Sequence, residues 1–441
     1  MTCFDIIETA NKFMNIKIKG GQVLKGEIFP SGSKNSVVAL IPATILFDSE
    51  VVLENIPNIK DVDRLVSIME KLGSKIIWDR KKKIMKINNQ NLRFEDLDRE
   101  DLGNMKGTSL LWGPMLARFK KVSFSELPGG CTLGMRPLDA HYNAFAKLGV
   151  VIKETAHSAQ MDASKAIANE VWLREMSPTA TENVIMLATS LAGKTKIVGA
   201  ASEPQVQDLC NFLIKSGAKI RGVGSNVLEI KGGGKLTPAR HQILSDHYEI
   251  ATFLALGALT GGGIKIHNST PEFFDHINYV FSLFGIKINY QGDTAIVEAN
   301  QKISINHEGQ NKTLTIKAQP WPSLPVDMLP LFIPLALVAK NSQVLFHNWM
   351  YEAGLFWTSE LQKLGANIVM ADPHRVIVTG GNKLRGATLE APYIIRAVVA
   401  LAMGAMIAEG ESTILNADAL YRGHPGFVKN LTRLGAKIGE I

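Results

Sequence analysis

KLGSKI, residues 71–76, closes a stretch of helical patterning and opens a stretch of strand. It returns along the chain as KLGVVI (147–152), KSGAKI (215–220), LFGIKI (283–288), KLGANI (363–368) and RLGAKI (433–438). The six glycines, Gly73, Gly149, Gly217, Gly285, Gly365 and Gly435, lie 68 to 80 residues apart. A glycine just past a helix takes the left-handed backbone without a Cβ clash, so each unit reads helix, cap, strand. A second pattern accompanies most units: a small-residue apolar helix such as TENVIMLATSLA or LAMGAMIAEG, a turn, then a short strand such as TKIVGA or STILNA. Each unit therefore holds two helices and several strands. Six copies of about 70 residues must bury their apolar faces on one another. The expected result is two similar α/β domains of three units each, built around buried Ala/Gly-rich helices with a cleft between them.

Composition agrees with an ordinary globular chain: 441 residues, 46% hydrophobic and 20% charged, are enough for two or more domains. Residues 1–15, MTCFDIIETANKFMN, lack a basic start and a continuous apolar stretch, and no run of eighteen apolar residues occurs later. A cytoplasmic protein without membrane insertion is expected. The three cysteines, Cys3, Cys131 and Cys210, show no C-x-x-C spacing, which argues against a disulfide framework and a zinc site. The formal charge of +7 favours anionic partners, but the basic residues carry no nucleic-acid-binding pattern. Arg80 to Lys83 in DRKKKIMKI sits beside an alternating segment, where lysines solvate a strand end. Small phosphorylated substrates suit the excess charge, and nucleic acid is not expected. AGKT at 192–195 is a decoy: Ala188 stands where a phosphate loop needs glycine, and the stretch leaves a helix instead of entering one.

Two local features point to chemistry. In LPGGCTLGMRP (127–137), Cys131 lies between a Gly-Gly turn and Arg136, a loop pattern that suits a reactive thiol lowered in pKa by the guanidinium. In IIRAVVALAMGAMIA, Arg396 interrupts a helix apolar on every face. A buried arginine needs an anion, either a ligand or an internal carboxylate.

Over nearly the whole chain these motifs resemble the enolpyruvyl transferase family. The resemblance rests on PSGSKNSVVALIPATIL, GPMLARF, LPGGCTLGMRPLDAH, SPTATENVIMLA, SDHYEIATF, LPVDM, IIRAVVALAMGAMIAEG and YRGHPGF. It implies two inside-out α/β barrels, each of three βαβαββ repeats, divided as 1–33 plus 244–441 and 34–243. It also implies transfer of enolpyruvate from phosphoenolpyruvate to a hydroxyl of a nucleotide-sugar acceptor with release of phosphate. UDP-N-acetylglucosamine, at the first committed step of peptidoglycan precursor synthesis, is the acceptor expected. The resemblance implies no metal and no organic cofactor, and it leaves the oligomeric state open.

By the same resemblance Cys131 is the general acid, Asp327 the base at the acceptor hydroxyl, and Lys34 a catalytic cation. Lys34, Arg136, Arg396, Arg422 and Lys106 would hold phosphoenolpyruvate; Asn35, Arg136, Pro137, Asp139, Ser177, Thr179 and Asp327 would hold the acceptor. Plainer readings stay open for several. Lys34-Asn35 also reads as a solvated turn, and Asp327 as an N-cap for the helix that follows, a role compatible with facing substrate. Asp246 and Glu249 either line the cleft near the domain crossover or start a surface helix. His141, with Asp139, either supports the nucleotide end or is a satisfied loop histidine.

Lys106, Leu110, Glu175 and Thr179 depart from the family's usual arginine, tryptophan, lysine and glycine on the acceptor side, and Gly354 replaces an arginine at the phosphoenolpyruvate end. A sister enzyme using another nucleotide or sugar acceptor, and a silent nucleotide-sugar-binding paralogue, are therefore rivals. The PGGC loop belongs to the sugar-nucleotide branch of the fold, not to its shikimate-pathway member.

Overall fold

All six repeat glycines adopt the left-handed backbone, with φ between 72° and 101°. In the computed structural model, which describes residues 14–93, 106–124, 138–155, 158–306 and 313–441, they close one class of helix. Cys3, Cys131, Arg136 and Pro137 lie outside the described residues, as does the side chain of Lys106. Among the described residues twelve helices run in chain order: α1 Lys34–Ala43, α2 Lys60–Lys71, α3 Trp112–Phe119, α4 Asp139–Lys147, α5 Pro178–Ser190, α6 Pro204–Lys215, α7 His247–Thr260, α8 Asp275–Leu283, α9 Leu329–Val338, α10 Thr358–Lys363, α11 Ile395–Ile407 and α12 Phe427–Arg433. The even-numbered helices end at the repeat glycines. The odd-numbered ones form the centres.

The division follows from sequence. In α7, HYEIATFLALGALT, every residue from His247 to Ala258 is buried, and α9 is buried from Leu329 to Leu337. A helix apolar on all sides is stable only inside a core. The strands instead alternate, as in IKIK at Ile16–Lys19, and bury one face. Helices consequently pack at the centre of each half, with sheets outside them. Among the described residues there are five four-stranded sheets and one three-stranded sheet. Two distinct apolar cores result, one from residues 14–28 with 248–436, the other from residues 37–243.

Chain segments distant in sequence complete the sheets. Ile16–Lys19 lies antiparallel between Glu411–Leu415 and Ile438–Glu440, and Gly26–Ile28 runs parallel to Ile264–Ile266. Arg240–Gln242 returns to pair with Val51–Glu54. No helix of the described residues is long and apolar enough to cross a membrane.

The two halves meet where the chain passes between them twice. Ser33 N–H donates to the Leu244 carbonyl at 2.7 Å, and Asp246 N–H to the Ser31 carbonyl at 2.8 Å. Between them Gly32 presses on Asn55: a Cβ there would sit 1.8 Å from its carbonyl oxygen. Asp246 accepts from the Tyr248 and Glu249 N–H groups, each at 3.0 Å, and from Lys34 N–H at 3.1 Å, so one carboxylate caps α7 and ties it to α1. Glu249 accepts from the Ser31 N–H at 3.1 Å and from the Ser31 hydroxyl. The crossover placement of this pair holds, while the cleft-lining and surface-helix readings are corrected. Asp246 and Glu249 neither line the cleft nor start a surface helix; they are buried in the crossover.

Burial, with Asp246 beside it, lifts the Glu249 carboxyl from 4.5 to about 7. A carboxyl raised by folding contributes stability that is complete below its unfolded pKa and is lost as pH rises through the folded value. Glu249 should therefore cost stability between pH 4.5 and about 7, by roughly 3 kcal/mol at most. Denaturant unfolding of Glu249→Gln across this range is expected to show a flatter pH profile than the wild-type chain; an unchanged slope would remove Glu249 as the source.

Candidate active site

The odd-numbered helices of both halves begin at one place. A cleft of about 330 Å³ is lined by Lys34 and Asn35 at the start of α1, Gly107 and Leu110 ahead of α3, and Ser177 to Thr179 at the start of α5. From the other half come Tyr248 of α7, Asp327 ahead of α9, and Ile395 and Arg396 of α11. The first N–H groups of a helix have no partner inside it, and the helix dipole makes that end positive. Helix starts gathered at one cleft favour anions there, except where a side chain already holds the N–H groups, as Asp246 does at α7.

Cationic side chains add to this. Lys34 Nζ lies 2.8 Å from one oxygen of Asp61 on α2, and Arg422 Nε lies 3.4 Å from the other. Burial opposes ionisation of Asp61, but Lys34 and Arg422 outweigh it and hold the carboxyl below the usual range. Burial draws the Lys34 ammonium down, Asp61 opposes that shift, and Arg422 adds to it. Asp61 belongs to one core and Arg422 to the other half, so this carboxylate bridges the cleft.

Arg396 is 7% exposed. One of its nitrogens donates to His424 Nε2 at 2.6 Å, and its guanidinium carbon lies 4.3 Å from the centre of the Tyr248 ring. Burial, reinforced by Arg396, pushes His424 down to about 3, so the imidazole is neutral and accepts. Among the described residues no carboxylate forms an ion pair with Arg396. The internal salt bridge left open from sequence is not the partner; the remaining guanidinium donors are available to an anion in the cleft.

The structure brings Lys34, Asn35, Ser177, Thr179, Asp327, Arg396 and Arg422 together, along with Leu110. Asp327 is not the cap of α9: the N-cap is Met328, without a side-chain bond. Asp139 falls outside the lining, 3.7 Å from Arg174. His141 is buried, its Nε2 3.1 Å from the Thr179 hydroxyl and its Nδ1 3.1 Å from the Asn183 amide, so it supports Thr179 from behind. Glu175 is exposed and off the cleft, with its carbonyl accepting Ser177 N–H at 2.8 Å. Gly354 packs on Asn348, and the lining of its segment comes from Met350 and Tyr351. Cys210 is buried, and burial pushes its thiol up to about 12, which suits a structural cysteine.

Asp61, Glu182, Glu203 and Gln205 line the cleft without having been singled out from sequence. Glu182 carried a usable signal, a carboxylate inside the apolar run TENVIMLA, which is the argument that found Arg396. Asp61 in IKDVDRL looks like any acid in a first helical turn.

The sequence matches the family described as EPSP synthase (3-phosphoshikimate 1-carboxyvinyltransferase) over residues 18–431. The chain belongs to the EPSP synthase family. Among its relatives, the UDP-N-acetylglucosamine 1-carboxyvinyltransferase of Borreliella burgdorferi is 38% identical over 424 residues, covering 96% of this chain and 98% of that protein. The protein of the same name from Bacteroides thetaiotaomicron is 38% identical over 432 residues, 96% and 99% of the two chains. In fold the chain is similar to the enolpyruvyl transferase NikO from Streptomyces tendae, with a TM-score of 0.85, 20% identity, and coverage of 97% and 99%. The EPSP synthase of Acinetobacter baumannii matches with a TM-score of 0.70 at 16% identity, over 97% and 100%. These family folds are two-domain and inside-out, in agreement with the helices-in, sheets-out halves described above.

The bridging role of Asp61 is testable. Asp61→Asn leaves two partly buried cations without their counter-charge and should lower stability by roughly 3 kcal/mol. Inorganic phosphate should then raise the melting temperature of the variant more than that of the wild-type chain. Equal responses to phosphate would show that Asp61 does not neutralise an anion site.

Proposed function

We propose that the chain transfers the enolpyruvyl group of phosphoenolpyruvate to a hydroxyl of UDP-N-acetylglucosamine, releasing phosphate, at the first committed step of peptidoglycan precursor synthesis in the cytoplasm. The support for this acceptor is the run of relatives of that name matched over 96% of the chain. The support for the donor is the cation set facing the cleft from both halves. The domains on this reading are 1–33 plus 244–441 and 34–243, hinged at the crossover.

Phosphoenolpyruvate carries a phosphate and a carboxylate. Lys34 and Arg422 take the phosphate, displacing Asp61 as their counter-charge, and Arg396 takes the carboxylate, with Arg136 and Lys106 as further cations. Asn35, Ser177 and Thr179 sit on the acceptor side. Cys131 delivers a proton to the methylene carbon, which becomes methyl, and positive character develops at the neighbouring carbon. Asp327 removes the proton of the acceptor hydroxyl as its oxygen bonds to that carbon. Loss of a methyl proton and of phosphate from the tetrahedral adduct then restores the double bond in the product. Helix N-termini and cations facing the cleft stabilise the phosphate leaving with its electron pair.

Phosphate release measured with phosphoenolpyruvate and a panel of nucleotides and nucleotide sugars tests the reading. UDP-N-acetylglucosamine should give the highest kcat/KM. Faster release with a nucleotide lacking the hexosamine would favour the sister-enzyme reading. The epoxide fosfomycin should alkylate Cys131 and not Cys210, as read by peptide mass, and Cys131→Ser should lose turnover. Arg396→Ala should raise the KM for phosphoenolpyruvate about tenfold or more, and Asp327→Ala should mainly lower kcat. Full activity in either variant would remove that residue from its assigned role.

A further inference from the structure

One wall of the cleft carries acceptors without donors. Glu182 Oε1, Glu203 Oε2 and Gln205 Oε1 are buried atoms with no hydrogen-bond partner among the described residues, and all three side chains line the cleft. Glu182 is 1% exposed and Gln205 5%. Glu203 is the N-cap of α6, yet its side chain makes no capping bond. Two carboxyls and an amide oxygen held out of water in this way are costly unless something in the cleft satisfies them.

The ligand that satisfies them is constrained by charge. A phosphate or carboxylate would meet further oxygens here, and belongs against Lys34, Arg396 and Arg422. A second cation would join a cleft that already faces these three. What remains is a neutral group rich in O–H and N–H. Burial, with Glu203 beside it, raises the Glu182 carboxyl well above the usual range, and burial raises Glu203 to about 7. Neutral or half-neutral carboxyls of this kind both give and accept hydrogen bonds, as sugar hydroxyls do.

We propose that Glu182, Glu203 and Gln205 form a subsite that reads the hydroxyl and amide donors of the acceptor's sugar ring, and so determine specificity for a hexosamine over the bare nucleotide. This rests on the nucleotide-sugar reading of the acceptor. A site built to hydrogen-bond a substrate's polar groups discriminates strongly against analogues lacking them, because its own buried groups are then left unpaired.

Calorimetric binding of UDP-N-acetylglucosamine and of UDP to the full chain tests the subsite, with Glu203→Ala, Gln205→Leu and the isosteric Glu203→Gln as variants whose folding is checked by melting temperature. Glu203→Ala and Gln205→Leu are each expected to weaken UDP-N-acetylglucosamine about tenfold or more, while changing UDP less than about twofold. The KM for phosphoenolpyruvate should not move. If Glu203→Ala fails to fold, a selective loss in Glu203→Gln supports the subsite in its place. Equal losses for the two ligands, or no loss in a folded variant, overturn the subsite alone. Failure of the wild-type chain to bind UDP-N-acetylglucosamine overturns the acceptor reading and the subsite with it.

Discussion

Six largely buried helices all begin at one cleft, and that arrangement determines most of what the molecule does. Because α9 and α11 are surrounded on every side, their N–H groups without an intrahelical partner lie only at the helix start, whereas those of α7 are held by Asp246. The sheets wrap the sides, the repeat glycines turn the outer helices back into strands, and the inner N-termini are left facing the opposite half. Anion affinity is thus a property of the architecture. Lys34, Arg396 and Arg422 sharpen a field that backbone dipoles already supply.

The same arrangement creates an electrostatic problem, because three cations converge between two bodies. Two different solutions appear. Asp61 neutralises Lys34 and Arg422 directly and ties the halves together across the cleft. Among the described residues Arg396 forms no ion pair; a neutral histidine and an aromatic face orient the guanidinium, while the nearby Asp246 feels its charge. The contrast matches the proposed division of labour: a phosphate displaces the internal anion at one point, and a carboxylate meets a cation held in no ion pair at the other.

What was legible in the sequence was what local physics sets. Left-handed glycines at 73, 149, 217, 285, 365 and 435 declare the repeat because no other residue caps a helix so cheaply in strain. Arg396 was legible because a charge in an apolar helix has few explanations. Asp61 was not, since an acid in a first helical turn is ordinary until Arg422, 361 residues away, is brought to it. Asp246 and Glu249 were placed near the crossover from motif resemblance, but their burial depends on Ser31 and Lys34 folding back over them. Asp327 was read as a cap as well as a base because its position before α9 fits both; only the backbone distinguishes them, with Met328 at the cap. Position in a motif did not bring Asp139 or Glu175 into the lining: Asp139 lies by Arg174, and Glu175 is exposed although Met176 and Ser177 beside it line the cleft.

On the proposed function, helix starts of both halves jointly receive the substrates. Amide hydrogen exchange with and without phosphoenolpyruvate and UDP-N-acetylglucosamine, using the Asp327→Ala variant to hold the ternary complex, tests it most directly. Protection is expected at 34–37, 107–112, 177–181, 327–331 and 395–398 together, on both sides of the cleft. Protection confined to one half, or absent at these helix starts, would contradict it.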